Sequence, residues 1–135
     1  MVGDGPERYT VEKLCREKQL CQHIVFLGKQ ENVKDVLSIT DLFLFPSANE
    51  SFGLAVLEAL ACGIPCVTTN AGGLPEVNLN EQTGFTVDVG DTAAFAEKVS
   101  ILIEDPALRE RFSKNARAFS REQYNSYRIV PRYID

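Results

Sequence analysis

Short apolar runs of about four to six residues alternate along the chain with stretches of helical period. That alternation is the mark of βαβ units, in which each strand returns to a parallel sheet through a helix. MVG (1–3) reads as the end of a strand and GDGPE (3–7) as the turn after it. Pro6 is placed to open a helix that runs to about Gln19 and turns Val11, Leu14 and Cys15 inward. IVFLG (24–28) is the next strand, and a short helix around Val33 to Ile39 leads into DLFLFPS (41–47). The near-continuous apolar run of that segment suits a strand covered on both faces. PCVTT (65–69) is a third strand, with Pro65 at its first position, where no ladder donor is lost. AGGLPE (71–76) reads as a glycine-rich loop and TGFTVDV (83–89) as a short extended piece. Asp91 is placed to cap a helix ending near Glu104, Asp105 and Pro106 form a cap and first-turn pair for the next, and a last helix runs from about Arg121 to the end.

The fold class expected is α/β, a Rossmann-like parallel sheet with flanking helices. A strand of three residues at the start is shorter than strands usually are, and three or four strands make a thin sheet for the helices that must cover it. Residues 1–135 are therefore expected to be part of a larger α/β protein.

Composition narrows the function classes. With 135 residues, 44% apolar and 24% charged, the chain has the make-up of one soluble globular domain or part of one. A net charge of −5, with 14 Lys and Arg scattered among 19 acids, argues against a nucleic-acid partner, because phosphate-tracking surfaces need clustered cations. No apolar run approaches the roughly 20 residues that span a bilayer, and no leader follows Met1, so a cytoplasmic location is expected. Four Cys at 15, 21, 62 and 66 with a single His, His23, give no zinc spacing. They are expected to be reduced and used as small core residues, and no metal is expected.

Candidate chemistry concentrates in ESFGLAVLEALACGIPCV (50–67). The helix after Ser51, running Phe52 to Ala61, is apolar all round apart from Gly53 and Glu58, so it should be buried. Its first amides, at Phe52, Gly53 and Leu54, lack intrahelical partners and with the helix dipole offer an anion site. Ser51 is the expected N-cap, and Gly53 removes a side chain where a ligand would approach. The site would follow the carboxyl end of the 41–47 strand, where open α/β sheets place ligands. Two readings of the acids stand together here. Either Glu50 and Glu58 accept hydrogen bonds from ligand hydroxyls, or Glu50 is a solvated loop acid and Glu58 an edge residue. Elsewhere GDGPER lacks the third glycine of a dinucleotide fingerprint, no Walker lysine pattern occurs, and Ser51 has neither a nearby base nor a GxSxG elbow.

Taken in order and spacing, GDGPE, FLGKQENV, DLFLFPS, ESFGLAVLEALACGIPCV, NAGGLPEV, TGF and VGD resemble the carboxyl-terminal half of the family 4 retaining glycosyltransferases of GT-B fold. The diagnostic element is Glu50, seven residues, Glu58, then ACGIPCV. Through FLGKQENV, ESFGLAVLEALACGIPC and GGLPEV the likeness is strongest to a subfamily that glycosylates L-malate in bacillithiol synthesis.

The resemblance implies a donor site for a UDP-sugar, with N-acetylglucosamine as the sugar, and no cofactor beyond that substrate. It places Glu50 on the sugar hydroxyls as the catalytic position, the amides of Phe52, Gly53 and Leu54 with Ser51 on the diphosphate or sugar, and Glu58 on the ribose. Lys29 and Gln30 would flank the uracil, and Gly3 would let backbone approach the donor. The basic residues that grip the diphosphate, and the acceptor domain with its His, lie outside these 135 residues in the family's arrangement. The isolated chain is therefore expected to be inactive with at best weak UDP affinity. Uncovered sheet edge and apolar surface would favour a homodimer. A UDP-sugar epimerase of the same fold, and a non-catalytic α/β interaction module with both acids solvated, are the competing expectations.

Overall fold

The computed structural model describes residues 1–127, with side chains as far as Gln123. The chain divides into two compact units, Met1–Val36 and a second that begins at Leu37. No helix among the described residues is long and apolar enough to cross a membrane.

In the first unit, the backbone around Met1–Gly3 pairs in parallel with 25–28. Leu27 N–H donates to Met1 O at 2.9 Å and Gly3 N–H to Gly28 O at 2.7 Å. The pairing closes only one isolated bridge, Val2 to Gly28, so IVFLG does not form the full strand expected of it. Helix α1 (Arg8–Glu17) follows the turn and is stapled on its surface by Arg8 Nε donating to Glu12 Oε1 at 2.8 Å. It ends short of Gln19 because that residue turns left-handed, φ 57°, and Leu20 N–H caps back onto Cys15 O at 2.9 Å. Cys15 is buried, but Leu14 is 47% exposed against the expectation that it points inward. The covered stripe of α1 is narrow, confined to the face that Val11 and Cys15 share one turn apart. Helix α2 (Val33–Leu37) is a short connector, two residues shorter than expected.

The second unit is built on a three-stranded parallel sheet of order β1 (Phe43–Phe45), β2 (Cys66–Thr69), β3 (Gly84–Val87). Phe43 pairs with Cys66, which pairs with Gly84. Parallel neighbours need crossovers, and α3 (Leu54–Ala61) and α4 (Leu74–Val77) supply them. Helices α5 (Thr92–Glu104) and α6 (Pro106–Tyr127) follow β3. Both start as the sequence suggests: Asp91 Oδ1 accepts from Ala94 N–H and Asp105 Oδ1 from Leu108 N–H, each at 3.0 Å.

Strand β2 is buried along its whole length because its side chains feed two cores on opposite faces. Cys66 joins Val56, Ala59, Leu60, Leu74 and Ala116 in one. Val67 joins Phe85, Leu102 and Phe112 in the other, where the two phenyl rings meet edge to face at 5.3 Å.

Four further expectations are corrected by the structure. Strand β1 is not covered on both faces: Phe43 and Phe45 pack on the first core, but Leu44 is 47% exposed. AGGLPE is only partly a loop, since LPEV forms the single turn of α4 with Pro75 in its first turn. No break occurs near Arg121, because Ala116, Phe119 and Ser120 keep α6 packed through that point as one helix; the expected helix beyond Tyr127 lies outside the described residues. Not all cysteines are core residues: Cys15 and Cys66 are buried, and Cys21 and Cys62 are exposed.

Candidate functional site

Helix α3 starts at Leu54, two residues later than the sequence suggests, and its N-cap is Gly53, not Ser51. Gly53 adopts φ 67°, a left-handed conformation that a serine cap does not need and a glycine takes without cost. Its N–H donates to Glu50 Oε1 at 3.2 Å, so the cap is supplied by a carboxylate from three residues back. An acid at that end also complements the helix dipole. One of the three amides expected to hold an anion is thus already engaged by Glu50.

The loop carrying Glu50 is fixed from behind. Thr69 Oγ1, at the end of β2, donates to Ser47 O, and Ser47 Oγ donates to Asn49 O at 2.7 Å. Gly73 N–H donates to Glu50 O at 3.4 Å. Gly72 has φ 50°, and a Cβ there would overlap the Glu50 carbonyl oxygen outright; one on Gly73 would sit 2.6 Å from Ser51 O. At Gly53 an added Cβ would meet Leu74 Cδ2 at 3.0 Å. Gly72 and Gly73 therefore let two backbones lie in contact where any side chain would separate them, and Gly53 seats the helix start closely against Leu74.

Behind that contact stands Asn78, fully buried just after α4. Its Nδ2 lies 3.1 Å from each of Cys66 O, Thr68 Oγ1 and Phe85 O, and its Oδ1 accepts from Thr83 Oγ1 at 2.8 Å. The side chain bridges β2, β3 and the exit of α4, so the glycine loop cannot drift without breaking a satisfied buried network. The sequence reading missed Asn78 and Thr83. Their only signal was an Asn directly after a short Pro-containing turn and a Thr at the head of an apolar strand.

On α3 itself, Val56, Leu57, Ala59 and Leu60 are buried while Leu54 and Glu58 are exposed. The expectation of a helix buried all round is met on one side only. Residues 54 and 58 are one turn apart and share the open face, so the helix start and Glu58 look out together. Glu50 is half-buried, while Ser51 and Phe52 are exposed. In the first unit, Gly3, Lys29 and Gln30 lie close together: Gly3 bonds to Gly28 O, and Gln30 Nε2 donates to Leu27 O at 2.7 Å. Gly3 has φ 117° and open space where a Cβ would stand.

Two other concavities belong to the second unit. One, of about 630 Å³, is walled by Leu44, Pro46, Val87, Val89, Phe95 and Val99 and is mainly apolar. Its acids are spoken for, since Asp88 Oδ1 accepts from Asn70 Nδ2 and Asp91 caps α5. The other, of about 480 Å³, is polar and includes Asp41, Gly63, Arg109, Ser113 and Arg117. Among the described residues no group of three or more His, Cys, Asp and Glu side chains is placed to hold a metal ion.

The family described as Glycosyl transferases group 1 matches residues 1–119. N-acetyl-alpha-D-glucosaminyl L-malate synthase of Bacillus anthracis is 43% identical over 133 residues, which are 98% of this chain and 35% of that protein. Anabaena Alr3699/HepE, solved in complex with UDP, superposes with a TM-score of 0.81 at 29% identity, over 90% of this chain and 35% of that one. The C-terminal domain of LpcC, a glycosyl transferase group 1 family protein from Francisella tularensis, superposes at 0.78 with 26% identity, over 87% of this chain and 62% of that one. The chain spans 35 to 39% of the length of the first curated relatives it matches.

Proposed function

Because the chain belongs to the glycosyl transferases group 1 family, we propose that it is the donor-binding part of a retaining transferase that moves N-acetylglucosamine from a UDP-sugar to L-malate. The choice of sugar and acceptor is supported by the 43% identity to N-acetyl-alpha-D-glucosaminyl L-malate synthase. The choice of donor is supported by the likeness to Alr3699/HepE, which has been solved with UDP and with UDP-glucose.

The observation that carries the reading is the open face of α3, where an exposed Glu58 stands one turn beyond the helix start on a helix whose opposite face is buried. A carboxylate there accepts hydrogen bonds from the two ribose hydroxyls. Glu50 keeps Oε1 on the Gly53 amide and offers its second oxygen to the sugar hydroxyls. The first turn of α3 points its dipole at the diphosphate.

In the transfer, the bond from the anomeric carbon to the diphosphate oxygen breaks and an oxocarbenium-like sugar forms. The acceptor hydroxyl then attacks from the face the diphosphate leaves, and its proton passes to a diphosphate oxygen. Catalysis consists of stabilising charge that grows on the leaving group, and a preorganised helix start does that without reorganising. No cofactor or metal takes part in this scheme. Parts of the protein beyond this chain hold the acceptor and the remaining cations.

Nitrogen-15 NMR of the chain titrated with UDP tests this. Millimolar binding should shift the amides of Gly53, Leu54 and Glu58, and Glu58→Ala should abolish the shifts while leaving the thermal midpoint within a degree or so. Unmoved amides in that segment would defeat the donor-site reading, and saturation at micromolar UDP would defeat the expectation of a weak partial site.

A further inference from the structure

Outside the donor-site residues, the first unit brings two thiols together at the end of α1. Cys15 lies in the last turn of the helix and is 5% exposed; Cys21, after the turn, is exposed. The turn folds the chain back on the helix. Gln19 goes left-handed, its N–H donates to Arg16 O at 3.1 Å, and Leu20 N–H donates to Cys15 O at 2.9 Å. That second bond places the residue just before Cys21 directly against the Cys15 backbone. Burial first, then the neighbouring Cys21 thiol, push the Cys15 thiol up from its ordinary range. Leu20 O in turn accepts from His23 N–H at 2.9 Å and Ile24 N–H at 3.1 Å, so the turn is continuous with the segment that pairs with Met1–Gly3.

We propose that Cys15 and Cys21 form a reversible dithiol–disulfide site, a covalent modification point for low-molecular-weight disulfides. Exposure makes Cys21 the attacking sulfur and burial makes Cys15 the resolving one. The Cys21 thiolate attacks one sulfur of a small disulfide, forming a mixed disulfide and releasing one small thiolate. The Cys15 thiol loses its proton and attacks the Cys21 sulfur; the internal disulfide forms and the second small thiol leaves. One disulfide is reduced to two thiols as the protein's two thiols are oxidised. The bridge would reinforce a helix end now closed by backbone hydrogen bonds. Of the two remaining thiols, Cys66 is buried in the second unit with its Sγ on Ile64 O, and Cys62 is exposed there.

Mass spectrometry of the intact chain after incubation with oxidised glutathione tests this. The expected product has lost two hydrogens and on tryptic digestion shows Leu14–Arg16 linked to Gln19–Lys29. Dithiothreitol should reverse it, oxidation should raise the thermal midpoint, and Cys21→Ser should block the linkage while keeping the reduced protein's circular dichroism. A glutathione adduct that persists on Cys21, a linkage to Cys62, a linked peptide seen only in urea, or no reaction would overturn the proposal.

Discussion

The two ends of α3 are both closed by left-handed glycines, yet they are held in different ways. At the carboxyl end, Gly63 with φ 75° terminates the helix by the common route, with Ile64 N–H reaching Ala59 O at 3.0 Å. What crowds Gly63 is the flexible end of the Arg117 side chain, and Ser113 Oγ donates to its carbonyl at 2.5 Å. At the amino end, Gly53 rests on Leu74, and the preceding loop is pressed against Gly72 and Gly73, backbone on backbone. Side chains can swing aside, but a main chain fixed by a buried amide network cannot. The rigid end is the one that carries Glu50 and opens toward Glu58, and the donor site proposed for these residues would need such contacts set in advance.

That contrast is open to attack by substitution. The largest effect is expected for Gly72→Ala, which adds a Cβ inside the Glu50 carbonyl and strains φ as well; urea unfolding should show a loss of roughly 3 kcal/mol or more. A smaller loss, about 2–3 kcal/mol, is expected for Asn78→Ala, because Cys66 O and Phe85 O each lose a buried partner. Gly63→Ala should cost only about 1–2 kcal/mol, the penalty of a left-handed alanine, with Arg117 moving into solvent. Equal losses at Gly72 and Gly63 would dissolve the distinction between the two ends, and a crystal structure of the Gly63 variant would sharpen it by showing whether Arg117 alone moves.

Much of this frame was legible in the chain. FLF and CVTT were legible as strands within DLFLFPS and PCVTT, GFTV only as part of a short extended piece, and Asp91 and Asp105 announce their helices by side-chain chemistry that acts within three residues. The start of α3 was misread because Ser51 has the right chemistry for a cap. What displaced it is partly local and partly tertiary: Glu50 reaches three residues forward to the Gly53 amide, and Gly53 packs against Leu74. Asn78 was invisible for a similar reason, since a buried amide leaves no period in a pattern of apolar positions. The exposure of Leu44 was missed because an apolar run states that a strand can be covered, without stating that each face is. Glu50 and Glu58, by contrast, stood out by being acids in an apolar stretch, a signal that survives without knowledge of packing.

Strand β2 gives Cys66 to one core and Val67 to the other. Deleting or inserting a single residue just after Pro65 would therefore invert the strand, sending each side chain into the layer built for its neighbour, and close-packed cores tolerate such exchanges poorly. A change of length is thus expected to be tolerated better in the connections than in β2, whose four residues set the register of both layers.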